Sequence, residues 1–423
     1  MGVQSDGPKD GSGAGADGGR DAGGGGRSDR GRRATAGGGA EAGAGRGAGA
    51  GDAGGDASRA AASTGPVRRK AATPAEAGAA GKARGGHGSP VQIDAGGRSV
   101  RLSSPEKVCF PDRGYTKADV ARYFLAVGDG ILRALRDRPT TLERYPDGVA
   151  GGSFYQKHAP KNLPDWIPTA EITFPSGRRT REIAPAEIAA VIWAAQFNTL
   201  TFHPWPVRGD RPDHPDQLRI DLDPQPGTSY PDAVRAAHEL RSVLDGFGGL
   251  RGWPKTSGGR GLHVFVPLEP RWTFTEVRRA AIACGRELAR RMPDGVTTAW
   301  WKEERGERIF VDYNQTARDR TIASAYSVRA HPDARVSAPL RWDELDDARP
   351  ADFDLGSMPA RFAELGDVHA DMDDHAYSLD ALLEQADRDE RDHGLGDLPY
   401  PPEYPKMPGE PKRVQPSRAR HDT

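Results

Sequence analysis

Apolar side chains recur at helical spacing in four stretches of the chain. In residues 116–136, Val120, Phe124, Val127 and Leu132 share an approximate face, Thr116 stands where an N-cap belongs and Asp119 follows three positions later. That pattern predicts a helix with a capping box over 116–136. A second helix is expected over 185–198, with Pro185 in the first turn, where a missing N–H is tolerated. Two more are expected over 231–247 and 274–292. Short alternating or apolar runs at 200–203, 218–223, 261–267 and 308–313 read as strands. Helices and strands interleave irregularly, which predicts an α+β domain with a central, mainly antiparallel sheet flanked by helices.

The same pattern stops short of the N-terminus. No aromatic residue precedes Phe110, no leucine precedes Leu102, and about half of the 54 glycines fall before residue 90. A segment with so few large apolar side chains cannot bury enough surface to offset its ordering entropy. Residues 1–90 are therefore expected to be a disordered Gly/Ala/Arg-rich tail, 91–390 the folded domain with order beginning near Val100, and 391–423 a Pro-rich tail. Across 423 residues, 59 Lys+Arg nearly balance 60 Asp+Glu, a balance that still allows a local basic groove. No apolar run approaches the roughly eighteen residues of a membrane span, and no apolar leader opens the chain. Cys109 and Cys284 lie far apart without metal-like spacing, which fits buried thiols in a reducing, cytoplasmic setting.

Chemistry concentrates in a few segments. In Leu218-Arg219-Ile220-Asp221-Leu222-Asp223-Pro224 the apolar residues alternate with Arg219, Asp221 and Asp223. On a strand both carboxylates face one side, their Cα atoms roughly 6–7 Å apart. Such a pair invites a divalent cation, although acids at exposed strand ends are also common. Arg308-Ile309-Phe310-Val311-Asp312 places a third carboxylate at a strand end, where it would either open a turn or complete a harness for two Mg²⁺ or Mn²⁺ ions. The run from Thr256 to Val266, TSGGRGLHVFV, reads as a loop for an anion or as a plain hairpin turn. It lacks the Gly-Lys-Ser/Thr ending of a P-loop. His203 ends a short apolar strand, and Phe154-Tyr155-Gln156-Lys157-His158 interleaves aromatic with basic groups, as base-stacking platforms do.

Taken in order, KVCFPDRGYTK, RPTTLERYPDGV, SFYQKH, RIDLDP, TSGGRGLHVFVPL, RIFVDYNQTARDRTIASAYSVR and APLRWDEL resemble the polymerase domain of bacterial DNA ligase D, in the archaeo-eukaryotic primase superfamily, over about residues 100–375. The resemblance implies a template-dependent nucleotidyltransferase that prefers ribonucleotides and fills gaps at DNA ends during non-homologous end joining. It implies two divalent cations (Mn²⁺ or Mg²⁺) on Asp221, Asp223 and Asp312, and an NTP held by His203, Ser257, Arg260, His263, Gln315 and Arg329. Lys107, Lys117 and Arg144 resemble a pocket for the 5′-phosphate across a gap, and Phe154 or Tyr155 would support the template base. Two positions depart from the pattern: Arg260 is often lysine, and Glu143 stands where relatives can carry a second basic residue.

Lys117 in the first turn after Thr116 suggests that the phosphate would also meet backbone N–H groups of that helix. Implied partners are gapped or broken double-stranded DNA with a 5′-phosphate, Ku, and a separate ATP-dependent DNA ligase, at the nucleoid. No Lys-x-Asp-Gly ligase signature occurs, since Lys117-Ala118-Asp119-Val120 breaks it at the glycine, so a stand-alone polymerase module is expected. Competing readings are a primase that initiates strands, for which a 5′-phosphate pocket is useless, and a catalytically silent DNA-end-bridging protein.

Overall fold

The computed structural model describes residues 88–173, 178–318 and 320–400, all within the unit Gly81–Thr423. Apart from 88–90 and 391–400, the tails expected at 1–90 and 391–423 lie outside the described residues. Structure begins earlier than Val100, with an antiparallel hairpin of β1 (Val91–Ala95) and β2 (Arg98–Leu102). A small second hairpin pairs β3 (Val108–Phe110) with β4 (Tyr115–Thr116).

The helix expected over 116–136 is two: α1 (Lys117–Ala126) and α2 (Gly128–Leu135). Thr116 and Asp119 form the expected capping box. The break at Val127 turns α2 so that Gly130 lies against Tyr326, where a Cβ would come within 2.4 Å of the ring. The second helix, α3 (Ile188–Gln196), starts three residues late because the Pro185 carbonyl is bound by the Asp137 N–H and Glu187 takes the N-cap. The helices α4 (Tyr230–Gly246) and α5 (Phe274–Arg291) carry capping boxes at Ser229 with Asp232 and at Thr273 with Glu276. Two helices had no clear sequence signal: α6 (Met358–Leu365) and α7 (Asp380–His393), the latter running past residue 390.

Two five-stranded sheets organise the domain. The first contains β5 (Thr140–Arg144), β6 (Phe154–Gln156), β7 (Thr169–Thr173), β8 (Arg179–Ile183) and β9 (Thr199–Pro204). Here β5 pairs along its length with β9, with β6 at 142–144 and with β8 at Thr140. The second has the order β11 (Trp253–Thr256), β12 (Leu262–Pro267), β10 (Gln217–Pro224), β14 (Ile309–Val311) and β13 (Val296–Thr297). All its pairings are antiparallel except β13 with β14. On β10, Leu218, Ile220 and Leu222 are fully buried in the core that α4 and α5 cover. Each contributes about 1.5–3 kcal/mol by burial. A one-residue slip would take all three out of that core and drive Asp221 and Asp223 into it, so the register of the carboxylates is fixed by the apolar face.

Candidate active site

The antiparallel register brings the predicted carboxylates to one end of the second sheet. Asp221 sits directly across from His263, and the Asp312 N–H donates to the Asp221 carbonyl at 2.9 Å. Burial, then the charges of Asp312 and Asp223, push the Asp221 carboxyl well above its usual range. Burial and the Asp312 charge also raise Asp223, and burial raises Asp312. Among the described residues none of the three is in an arginine or lysine ion pair. Gln225 Nε2 donates to Asp223 Oδ2 at 3.0 Å, and Gln315 Nε2 to Asp312 Oδ2 at 3.1 Å.

As the side chains stand, no group of three or more His, Cys, Asp or Glu among the described residues encloses an ion. The donor set nevertheless fits hard divalent cations. Half-buried, mutually repelling carboxylates with amide donors are costly until positive charge arrives, and oxygen is the ligand such ions take.

Beside Asp221 the sheet carries a buried histidine–lysine chain. His263 Nε2 lies 3.5 Å from Asp221 Oδ1. Its Nδ1 is 2.8 Å from Nζ of Lys255, which is fully buried and also donates to Ser337 Oγ. With Lys255 as donor, Nδ1 must accept, which assigns the proton to Nε2 and aims an N–H at the carboxylate end of the site. Burial pulls His263 and Lys255 well below their usual values, and Arg329 adds to both effects. Lys255 was missed in the sequence. Its signal is the hairpin register, which pairs it with His263 across the strands.

In the glycine loop, Ser257 Oγ accepts from the Gly259 and Gly261 N–H groups at 3.1 Å each. Those donors therefore turn inward onto the serine rather than outward to an anion. Gly258 has a φ of 69°, and a Cβ there would lie 2.3 Å from Cγ of Arg329. The loop is thus glycine at this point so that Arg329 can cross it. Arg260 Nη2 donates to the Pro224 carbonyl at 3.1 Å, and its charge favours the ionised form of Asp223.

His203 is buried on β9, with Nε2 2.9 Å from Glu143 Oε2 and the Tyr155 ring edge-on to it at 5.4 Å. Burial would raise Glu143, but hydrogen bonds from His203 and the Tyr145 hydroxyl, with the charge of Arg329, hold it at about 2. Burial outweighs Glu143 and lowers His203, so the pair is a neutral imidazole donating to a carboxylate. Glu143 is therefore held by His203 and not by Arg144. Adjacent strand residues face opposite sides, and Arg144 points away, stacked 5.0 Å from both Phe154 and Phe197.

Lys107, Lys117 and Arg144 do come to one corner, but they are bound there to carbonyls, and Lys107 also lies 3.6 Å from Asp147 Oδ1. Lys117, 5% exposed, donates from Nζ to Ser103 O and to Gln196 O. Arg144 Nε donates to Phe197 O, and Lys107 Nζ to Pro146 O. Gln196 and Phe197 end α3, so two of the cations satisfy its C-terminal carbonyls and oppose its dipole. Backbone N–H groups at the start of α1 are also taken, Lys117 by Lys107 O, Ala118 by Pro105 O and Asp119 by Thr116 Oγ1. The expected phosphate seat on that helix N-terminus is closed by the 103–107 loop. Phe154 and Tyr155 stand 45% and 53% exposed on the edge strand β6, open to a stacking partner.

A family model described as the LigD primase-polymerase domain matches residues 116–369. The chain is 36% identical over 268 residues to the multifunctional non-homologous end joining protein LigD of Pseudomonas aeruginosa, covering 63% of this chain and 32% of that protein. It is 34% identical over 313 residues to the protein of that name in Mycolicibacterium smegmatis, covering 73% of this chain and 40% of the relative. The chain thus spans about a third to two fifths of these curated relatives. Among solved structures, the polymerase domain from Mycobacterium tuberculosis ligase D in complex with DNA matches with a TM-score of 0.62 at 30% identity, covering 66% of this chain and 99% of that one.

Proposed function

Because the chain belongs to the LigD primase-polymerase domain family, we propose that it is a template-dependent nucleotidyltransferase that fills gaps at DNA ends, preferring ribonucleotides. One observation carries this reading: three partly buried carboxylates, unpaired with lysine or arginine, share a strand end with an imidazole N–H. Asp221, Asp223 and Asp312 would hold two divalent cations. When bound, these ions activate the primer 3′-hydroxyl and take up charge on the pyrophosphate that leaves.

The other groups bind and orient. His263 donates from Nε2 to a phosphate oxygen, and Arg260 and Arg329 neutralise the side of the triphosphate away from the carboxylates. Gln315 holds Asp312 in place, and Ser257 and His203 face the ribose. A site built to bond the 2′-hydroxyl leaves its own polar atoms unpaired when a deoxynucleotide enters. Phe154 or Tyr155 supports the template base.

The 5′-phosphate site is assigned to Lys107, Lys117 and Arg144, with Lys107 and Arg144 the more accessible two. A phosphate would draw their N–H groups from the carbonyls they now bind. That present occupancy is the observation that favours the primase as a second reading. The partners this proposal implies are gapped duplex DNA, NTPs, a Ku-type end-binding protein and an ATP-dependent ligase, at the nucleoid in the cytoplasm. No described helix is long and apolar enough to cross a membrane.

Primer extension across a one-nucleotide gap tests the whole proposal, with rNTPs against dNTPs and with and without a downstream 5′-phosphate. Expected are metal-dependent addition, ribonucleotide preference, tighter binding of the phosphorylated gap, and loss of addition in Asp221→Ala and Asp223→Ala. Addition at the wild-type rate by Asp221→Ala would remove the metal assignment. Equal affinity for the two gapped DNAs would promote the primase, and no addition by the wild type would promote the end-bridging protein.

A further inference from the structure

The residues after α7 close onto the back of the carboxylate site through one buried arginine. Beyond Gly394, the carbonyls of Leu395 and Gly396 accept from Arg286 Nη1 and Nη2 at 2.7 and 2.6 Å. Asp397 Oδ1 then accepts from Arg278 Nη1 at 2.5 Å, and Leu398 O and Pro399 O accept from Arg278 Nη2 at 2.7 and 3.1 Å. Tyr400, 2% exposed, lays its ring 3.6 Å from the same guanidinium. Arg278 is itself fully buried within α5.

Its remaining bond points the other way. Arg278 Nε donates to Asn314 Oδ1 at 3.0 Å, and Tyr313 stacks on the guanidinium at 5.0 Å. Asn314 lies in the short 3-10 turn Tyr313–Thr316 that follows Asp312, and its N–H donates to Asp312 Oδ1 at 3.0 Å. Asn314 Nδ2 also reaches Pro399 O at 3.5 Å. One Asp312 oxygen is thus held by Asn314 and the other by Gln315, and Asn314 is held by Arg278.

A buried guanidinium is tolerated only when its donors are paired, and its planar fork fixes those partners in direction as well as distance. An apolar side chain would suffice to anchor residues 394–400 on α5. Only a fork with donors on two sides ties that anchor to the turn behind Asp312. We propose that Arg278 is a positioning residue for Asp312, acting through Asn314, and that the 394–400 strap sets metal affinity by fixing Arg278. The inference rests on the assignment of Asp312 as a cation ligand.

The test is Mn²⁺ binding to the full chain without DNA or nucleotide, followed by the EPR signal of free Mn²⁺, with thermal melts alongside. Asn314→Ala cuts the link while leaving Arg278 on Asp397, Leu398 and Pro399; Arg278→Lys keeps the charge and removes the fork. Groups that orient ligands typically change metal affinity 10–100-fold, so Asn314→Ala should weaken the tightest Mn²⁺ site about tenfold, with a modest fall in melting temperature for the Arg278 Nε left unpaired and little change in gapped-DNA affinity. Arg278→Lys should shift affinity the same way and also lower the melting temperature. Wild-type Mn²⁺ affinity in Asn314→Ala overturns the inference, because the strap is then only an anchor. Asp312→Ala separates the two failures. If it binds Mn²⁺ like the wild type, the ligand assignment falls and this inference with it; if it loses binding while Asn314→Ala keeps it, only the positioning role falls.

Discussion

Replacing Asp221 by Asn should make the metal-free protein more stable while removing its activity. Asp221 and Asp223 share a strand face roughly 6–7 Å apart at the 3.3 Å rise per residue. At an effective dielectric near 20, two unit charges at that separation repel by about 2.5 kcal/mol. Asp312, bonded through its N–H to the Asp221 carbonyl, adds a second repulsion, and burial adds a desolvation cost. An asparagine keeps the size and the oxygen that faces His263. A net gain of about 2 kcal/mol, at roughly 2–4 °C per kcal/mol for a domain of this size, predicts a melting temperature about 4–8 °C higher.

The assay is a pair of thermal melts at neutral pH, in EDTA and with Mn²⁺. In EDTA the variant should melt above the wild type. Saturating Mn²⁺ at about 100 times its Kd adds ~2.7 kcal/mol to a protein that binds it, so the order should reverse with the ion present. A carboxyl raised in the folded state contributes stability that is present below its unfolded value and lost as pH rises through its folded one. The difference in EDTA should therefore shrink as pH falls to about 4, the unperturbed Asp value. A variant that melts below the wild type in EDTA, or a difference unchanged at acid pH, would refute the reasoning.

Gly258→Ala should cost about 1–2 kcal/mol for the left-handed backbone alone and displace Arg329, seen as a lower melting temperature and a raised NTP KM. Glu143 is held at about 2 against 4.5, so its stabilising contribution is present above about pH 4.5 and lost as pH falls toward 2. His203, also lowered, adds loss in the same direction below its ordinary value of 6.5, and Glu143→Gln should flatten the most acidic part of the unfolding curve. Lys117→Ala leaves two carbonyls without their buried donor and should lower stability by about 1–3 kcal/mol whether or not DNA is present. Lys107→Ala, at a more exposed position, should mainly erase the preference for a 5′-phosphorylated gap in a binding titration; an unchanged preference would move that pocket elsewhere.

The sequence alone determined what depends on spacing of two to four residues. Alternation on β10 placed Leu218, Ile220 and Leu222 on one face and Asp221 and Asp223 on the other, and only one register buries the apolar set. The capping boxes at Thr116, Ser229 and Thr273 were similarly local, since each cap bonds a residue three positions on. Alternation also separates Glu143 from Arg144, because neighbours on a strand diverge to opposite faces.

The tertiary structure decided everything that joins distant segments. Nothing in the spacing of Arg278, Asn314 and Asp397 shows that one guanidinium bonds both others. Nothing near Lys117 shows that its ammonium ends on the C-terminus of α3, 79 positions away, rather than in solvent. Nor does the apolar period of residues 116–136 show that the helix breaks at Val127 and lays Gly130 against Tyr326. The reason is physical: local patterns fix which face a side chain leaves from, whereas its partner depends on what packing brings to that face.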